Sequence, residues 1–307
     1  MISDILTIVN ELPLGHWRAE AGLRLRQAML VNGTLFNTEA WHGITKKDVE
    51  VFEKVDEALL RALLNAHSKI PIEALYLETK SNPIRYIIAS RRLMYLHSIL
   101  QKKEDELVRK VYEAQKADPT PGDFTELLKE DKESISIDLT DNEIQMMSKI
   151  KFKNYVKEKI ETAAFSYLLD RKQKHSKMSR LTYEKFEISK YLSSPIFNTE
   201  SRILLLAMRT RTVNGVRCDF PGLYQDRQCP LYCGKDDTLD HILTCSVLRI
   251  HHTSYNLATD TVKFEDIFST NIYKQKEIVE LYRQLLDLHA KLLSSQPVAT
   301  TVPVHCV

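Results

Sequence analysis

Apolar positions along this chain recur every three or four residues, and the alternation that marks half-buried strands is hard to find. A 3.6-residue period gathers such positions on one helical face, so the pattern predicts a mainly α protein. Leu25, Ala28, Met29, Leu35 and Phe36 fit a helix from Leu23 to about Asn37. After Thr45, whose hydroxyl can accept from the first free amides of a helix, Val49, Phe52, Val55, Leu59, Leu60, Leu63 and Leu64 repeat in register. Pro71 opens a short helix over 72–77. Asn82-Pro83 opens a longer one to about Leu100, with Ile84, Ile87, Ile88, Leu93, Leu96 and Leu100 inward. Its arginines Arg85, Arg91 and Arg92 are expected to face water or a partner.

Leu107, Val108, Val111 and Tyr112 carry the pattern to about Ala117, where the run Pro-Thr-Pro-Gly at 119–122 breaks it. Short acidic helices are expected over 124–132 and 141–148. From 150 to 170, Phe152, Val156, Ile160, Ala163, Ala164, Tyr167 and Leu168 form one face, with Lys149, Lys153 and Lys157 on another at i, i+4 spacing. Arg171 to Arg180 reads as a basic loop, and Ser194-Pro195 as a second break. Beyond it, helices are predicted over 199–209, with Ile203, Leu204, Ala207 and Met208 inward, and over 273–293, with a single helical turn at 264–268. The last residues have two prolines and no periodicity, which predicts a frayed tail. These breaks divide the chain into a helical region (1–118), an acidic then basic helical linker (119–194), an arginine-rich helix with a cysteine-rich stretch (195–255), and a C-terminal helix with its tail (256–307).

The 307 residues are 43% hydrophobic and 27% charged, the balance of a soluble globular protein. No apolar run is long enough to span a bilayer, so no membrane partner is expected. The first residues carry acids and no basic run, unlike a secretory signal. Five cysteines, three of them clustered and Cys218 and Cys306 apart, are no disulfide framework, so an intracellular location, nuclear or cytoplasmic, is expected. Net charge is +2 but unevenly spread. Residues 118–148 carry nine acids against two bases, a net of −7, and residues 149–180 ten bases against three acids, a net of +7. Such asymmetry suits a polyanion-binding surface, and equally a solvated helix face beside an acidic one. The candidate nucleic-acid contacts in the basic block are Lys149, Lys153, Lys157, Arg171, Lys172 and Lys174. Arg202, Arg209, Arg211 and Arg217, with no acid between Ser201 and Cys218, extend the set.

The stretch C-P-L-Y-C-G-K-D-D-T-L-D-H-I-L-T-C places Cys229, Cys233, His241 and Cys245 within seventeen residues. Three thiolates and an imidazole are a ligand set for tetrahedral zinc, and four protein ligands leave no open position for a catalytic water, so zinc would be structural. Gly234 suits the positive φ of a tight knuckle. Asp237 or Thr238 can cap a short helix on which His241 and Cys245, four apart, share a face. Cysteine also serves as a small buried apolar residue, and His251 and His252 are nearby substitutes for His241. Neither a phosphate-cradling glycine loop nor a nucleophile elbow is present.

Several stretches taken together are familiar: L-R-L-R-Q-A-M-L-V-N-G-T-L-F-N-T-E-A-W (23–41), A-L-Y-L-E-T-K-S-N-P-I-R-Y-I-I-A-S-R-R-L-M-Y-L-H (74–97), K-V-Y-E-A-Q-K (110–116), H-S-K-M (175–178) and M-R-T-R (208–211). With the cysteine knuckle they resemble the C-terminal third of non-LTR (LINE-like) retrotransposon polyproteins, over most of the chain. The resemblance implies a helical thumb, a helical linker and a CCHC zinc knuckle that grips element RNA or target DNA, with the upstream reverse transcriptase domain as a partner. The family's aromatic-x-Asp-Asp palm motif and its endonuclease are absent, which implies binding without independent catalysis. Tyr232 makes the first spacing C-x3-C where C-P-L-C is commoner in the family, which implies a distorted knuckle. A helical protein-interaction scaffold stapled by zinc is the alternative from another class.

Overall fold

The computed structural model describes residues 17–41, 43–213, 216–219, 226–252 and 263–295, together with Thr7. Among them are thirteen α-helices and no strand, so the chain is mainly α. No described helix is long and apolar enough to cross a membrane. The chain divides into two compact units, 1–195 and 196–307.

In the first unit, α1 (Trp17–Leu25) continues into a π-helical segment, Arg26–Thr34, where a plain helix was expected. Arg26, the first residue of the segment, turns inward. Its Nε and Nη2 pair side-on with Asp56 at 2.5 and 2.6 Å, the Tyr76 hydroxyl donates to the same carboxylate at 3.0 Å, and Nη2 also donates to the Asn82 carbonyl. Charges so buried are tolerated only when their hydrogen bonds are met in this way. Arg91 donates to the carbonyls of Val31 and Leu35 at the end of the segment.

Helix α2 (Lys46–Leu64) begins at a capping box between Thr45 and Asp48. After α3 (Ile72–Thr79) comes α4 (Ile84–Leu100), the central helix, packed by α2, by α5 (Leu107–Ala117), α6 (Phe124–Ser134) and α7 (Asp141–Met146), and by α8 (Lys149–Gln173). The short α9 (Lys190–Ser193) closes the unit against α1. One hydrophobic core runs from Leu93, Leu96 and Leu100 of α4 through Tyr112, Leu128 and Ile144 to Phe152, Val156 and Ile160 of α8, across the break at 119–122.

Because α4 is covered on so many sides, Arg92 does not face water as expected. It is buried and pairs with Asp131 of α6. Other residues of the acidic block are also used by the fold. Asp123 caps α6, Glu143 closes a capping box with Thr140, and Asp141 accepts from Tyr112 and Lys116. The expected basic loop is partly helix, since α8 runs on to Gln173 and a 3-10 turn follows at Ser176–Met178.

The second unit contains α10 (Thr199–Arg209), capped by Asn198, α11 (Leu239–Thr244), α12 (Ser246–His252) and α13 (Ile272–Ser295). Helix α13 buries Ile278, Val279, Leu281, Tyr282 and Leu285, and packs on α10, α11, α12 and the 3-10 turn Phe264–Phe268. The tail expected to fray, with Cys306, lies outside the described residues.

Candidate metal centre

The second unit brings Cys229, Cys233, His241 and Cys245 together so that one ligand atom from each lies within 4.8 Å of all the others. Cys229 Sγ lies 3.9 Å from Cys245 Sγ, and Cys233 Sγ 3.1 Å from His241 Nε2. Thiolates roughly 2.3 Å from a tetrahedral ion would be about 3.8 Å apart. The cluster could therefore hold a metal ion with little adjustment.

Local backbone chemistry explains how the chain builds it. Gln228 and Asp236 form an antiparallel bridge, flanked by bonds from the Cys229 amide to the Lys235 carbonyl and from the Asp237 amide to the Arg227 carbonyl, both 2.7 Å. Between them the chain turns through two positive φ values, 58° at Tyr232 and 79° at Gly234. The second is at a glycine, as expected. The first shows how the extra residue of the C-x3-C spacing is absorbed: Tyr232 loops outward in the left-handed region, 82% exposed, and both flanking cysteines stay in the site.

The second pair of ligands comes from α11. Thr238 is its cap, accepting from the His241 amide at 3.1 Å. Asp237 is buried and instead accepts from the Arg217 amide at 2.8 Å, tying the preceding 3-10 turn, Arg217–Asp219, to the knuckle. Cys245 ends the helix at its C-cap. Tyr282 of α13 donates its hydroxyl to the Leu239 carbonyl at 2.6 Å, so the longest helix of the unit braces the ligand-bearing one.

Burial pushes the Cys229 thiol up to about 12. Burial acts in the same direction on Cys233, but the Lys235 amide and the neighbouring thiols outweigh it and hold Cys233 below its ordinary value. Burial lowers His241, favouring the neutral ring that a metal requires. His241 Nδ1 is buried without a hydrogen-bond partner. Sequence reasoning missed His289 on α13, which is buried near enough to feel the charges of Asp237, Arg217 and His241. A lone histidine 48 residues beyond His241 gives no signal in the sequence. The side chains of His251 and His252 lie outside the described residues.

The candidate nucleic-acid contacts separate into two groups. Lys149, Lys153 and Lys157 are exposed on α8. The others are paired with a carboxylate or buried. Arg171 pairs with the buried Glu73 at 2.7 Å, Lys172 is buried, and Lys174 pairs with Asp170 at 2.8 Å. Arg202 and Arg209 are buried, and Arg209 donates to the Ile267 carbonyl at 2.9 Å. Arg211 reaches Asp240 at 3.5 Å, and Arg217 reaches Asp226 at 3.2 Å. The arginines leading to the knuckle thus hold their own unit together, which removes Arg202 and Arg209 from any exposed binding face. No family model, curated protein or solved structure matches the chain.

Proposed function

We propose that the protein is a zinc-stapled helical nucleic-acid-binding protein, doing the work the retrotransposon resemblance implies: gripping element RNA or target DNA beside a reverse transcriptase domain, without polymerising. Zinc is the metal because three thiolates and one imidazole suit a borderline-soft tetrahedral ion. When bound it would neutralise the buried thiolates and fix α11 against the knuckle turn. Cys229, Cys233, His241 and Cys245 would fill its coordination shell, so its role is structural.

The observation that carries nucleic-acid binding is the start of α8. Lys149, Lys151, Lys153 and Lys157 are exposed, and none has a carboxylate partner among the described residues. The first turn holds no acid. A helix N-terminus carries partial positive charge and favours acids there, so the fold gains nothing from lysines in this place. An external polyanion does. The test is a titration of short RNA and DNA with metal-loaded protein at low salt, alongside metal analysis. About one zinc per chain and micromolar binding support the reading, whereas a zinc-loaded protein with no affinity for either polymer refutes its nucleic-acid half.

That second outcome would favour the interaction scaffold. Its supporting observation is the exposed pair Leu107 (78%) and Val111 (48%), one turn apart on α5.

A further inference from the structure

The corner between α7 and α8 presents two large apolar side chains to water. Met146, the last residue of α7, is 88% exposed, and Ile150, at the second position of α8, is 75% exposed. Their neighbours are held in place. Ile144 and Phe152, two positions to either side, are fully buried in the core of the first unit. The Gln101 side chain donates to the Gln145 carbonyl at 2.7 Å, and His97 Nε2 donates to the Met147 carbonyl at 2.9 Å. The Ser148 hydroxyl caps α8 by accepting from the Lys151 amide at 3.3 Å. A corner pinned at so many points fixes the outward placement of Met146 and Ile150, and the fold gains no burial from either side chain.

Single exposed apolar residues are ordinary, and the charge around this pair is what sets it apart. Lys149, Lys151 and Lys153 are interleaved with it, exposed and without a carboxylate partner among the described residues. Lys153 and Lys157, three and seven positions after Ile150, lie on its side of the helix. Apolar side chains among such cations call for a partner that is anionic and also offers apolar faces. A single strand of nucleic acid has both, since its bases are not closed off by pairing and stacking as they are in a duplex. The pair projects rather than lining a groove, and methionine and isoleucine are among the side chains that enter between bases as wedges. An amphipathic peptide helix would need a groove, and an anionic membrane would need an apolar face along α8. That face, Phe152, Val156 and Ile160, is buried in the core.

We propose that Met146 and Ile150 contact the faces of unstacked bases while Lys149, Lys153 and Lys157 hold the phosphates, which makes this surface a site for single strands. The inference rests on the nucleic-acid reading above and names the form of polymer that is bound.

The experiment uses the full, metal-loaded chain. Anisotropy titrations compare a short single strand with the duplex of the same sequence, for the wild type and for Met146→Ser combined with Ile150→Ser. The double variant is expected to lose about tenfold in affinity for the single strand, the order of one large apolar side chain leaving water, and to bind the duplex as the wild type does. Its salt slope on the single strand should be unchanged, because the phosphate contacts are intact. A second arm needs no variant: hydroxyl-radical footprinting of the wild type, read by mass spectrometry, should show Met146 protected by the single strand and not by the duplex, with the exposed Leu107 as internal reference. Unchanged affinity in the variant, or an equal loss on both polymers, with Met146 unprotected by the single strand, overturns the single-strand site and leaves the nucleic-acid reading standing. Binding to neither polymer overturns both. If phosphatidylserine vesicles are then bound by the wild type and not by the variant, the corner belongs to a membrane surface instead.

Discussion

Tyr232 is the extra residue of the C-x3-C spacing, and its positive φ accompanies an arrangement in which both cysteines stay in the cluster. A non-glycine residue in the left-handed region carries roughly 1 kcal/mol of strain, and a β-branched one carries more. Tyr232→Gly is expected to keep the metal with unchanged or higher thermal stability. Tyr232→Val is expected to lose about 1 kcal/mol or more, measured by denaturant melts of metal-loaded protein. A second prediction concerns Asp123, the cap of α6. Burial works against its ionisation, yet the amides of Thr120 and Glu126 and the Thr125 hydroxyl hold its carboxyl at about 2. An unfolded aspartate titrates near roughly 3.9, so the folded carboxylate is the better acid. Its contribution is complete above that value and is lost as pH falls through about 2. Asp123→Ala should therefore cost about 1 kcal/mol at neutral pH, and the difference from wild type should shrink below about pH 4 in urea melts. What the sequence revealed at this scale was local. Thr45 as a cap, Gly234 at its turn and the four ligands follow from spacing, whereas the burial of Arg92 and Arg209 depends on Asp131 and the Ile267 carbonyl, far along the chain.

Among the elements, α8 carries the functional argument. Its apolar face, Phe152, Val156, Ile160, Ala164 and Leu168, is legible in the sequence and buried in the structure. Its lysines are legible as a stripe, but only the structure separates Lys149, Lys153 and Lys157, exposed with no carboxylate partner among the described residues, from Arg171 and Lys174, which have one, and from the buried Lys172. If the first-turn lysines serve an external polyanion, replacing them should help the fold and harm binding. Lys149→Glu with Lys151→Glu is expected to raise stability by about 0.3–1 kcal/mol at low salt while weakening affinity for RNA and DNA. A loss of stability in calorimetry would assign the lysines to the fold instead. The π segment Arg26–Thr34 was not legible, and neither was the pairing of its first residue, Arg26, with Asp56, thirty positions away. Such a pair is strongly coupled. Asp56→Ala should destabilise the first unit by about 3–5 kcal/mol, since it leaves a buried guanidinium without its counter-charge.

Across the whole molecule, the ligand cluster belongs entirely to the second unit, 196–307. Metal binding is folding free energy for the segment that supplies the ligands, so a chelator should act on one unit and spare the other. Calorimetry of the full chain is expected to show a transition that disappears or shifts down with chelator and one that does not move. Cys245→Ser should reproduce the effect of the chelator. Overall helicity was legible because apolar positions recur every three or four residues, most strongly in α2, α5, α6 and α10, while strand-like alternation is scarce. The pairing of helices within each unit was not, because it is set by contacts between residues distant in sequence.

The most direct measurement is the salt dependence of binding to a short single strand, for wild type and for the protein with Lys149, Lys151, Lys153 and Lys157 all changed to alanine. Each phosphate contact contributes about 0.7 to the slope of log affinity against log salt for single strands. The wild type should bind with a steep negative slope, and the fourfold variant should bind more weakly with a slope shallower by about 3. Binding that is indifferent to salt, or a variant with the wild-type slope, would contradict the assignment of α8 as the nucleic-acid face.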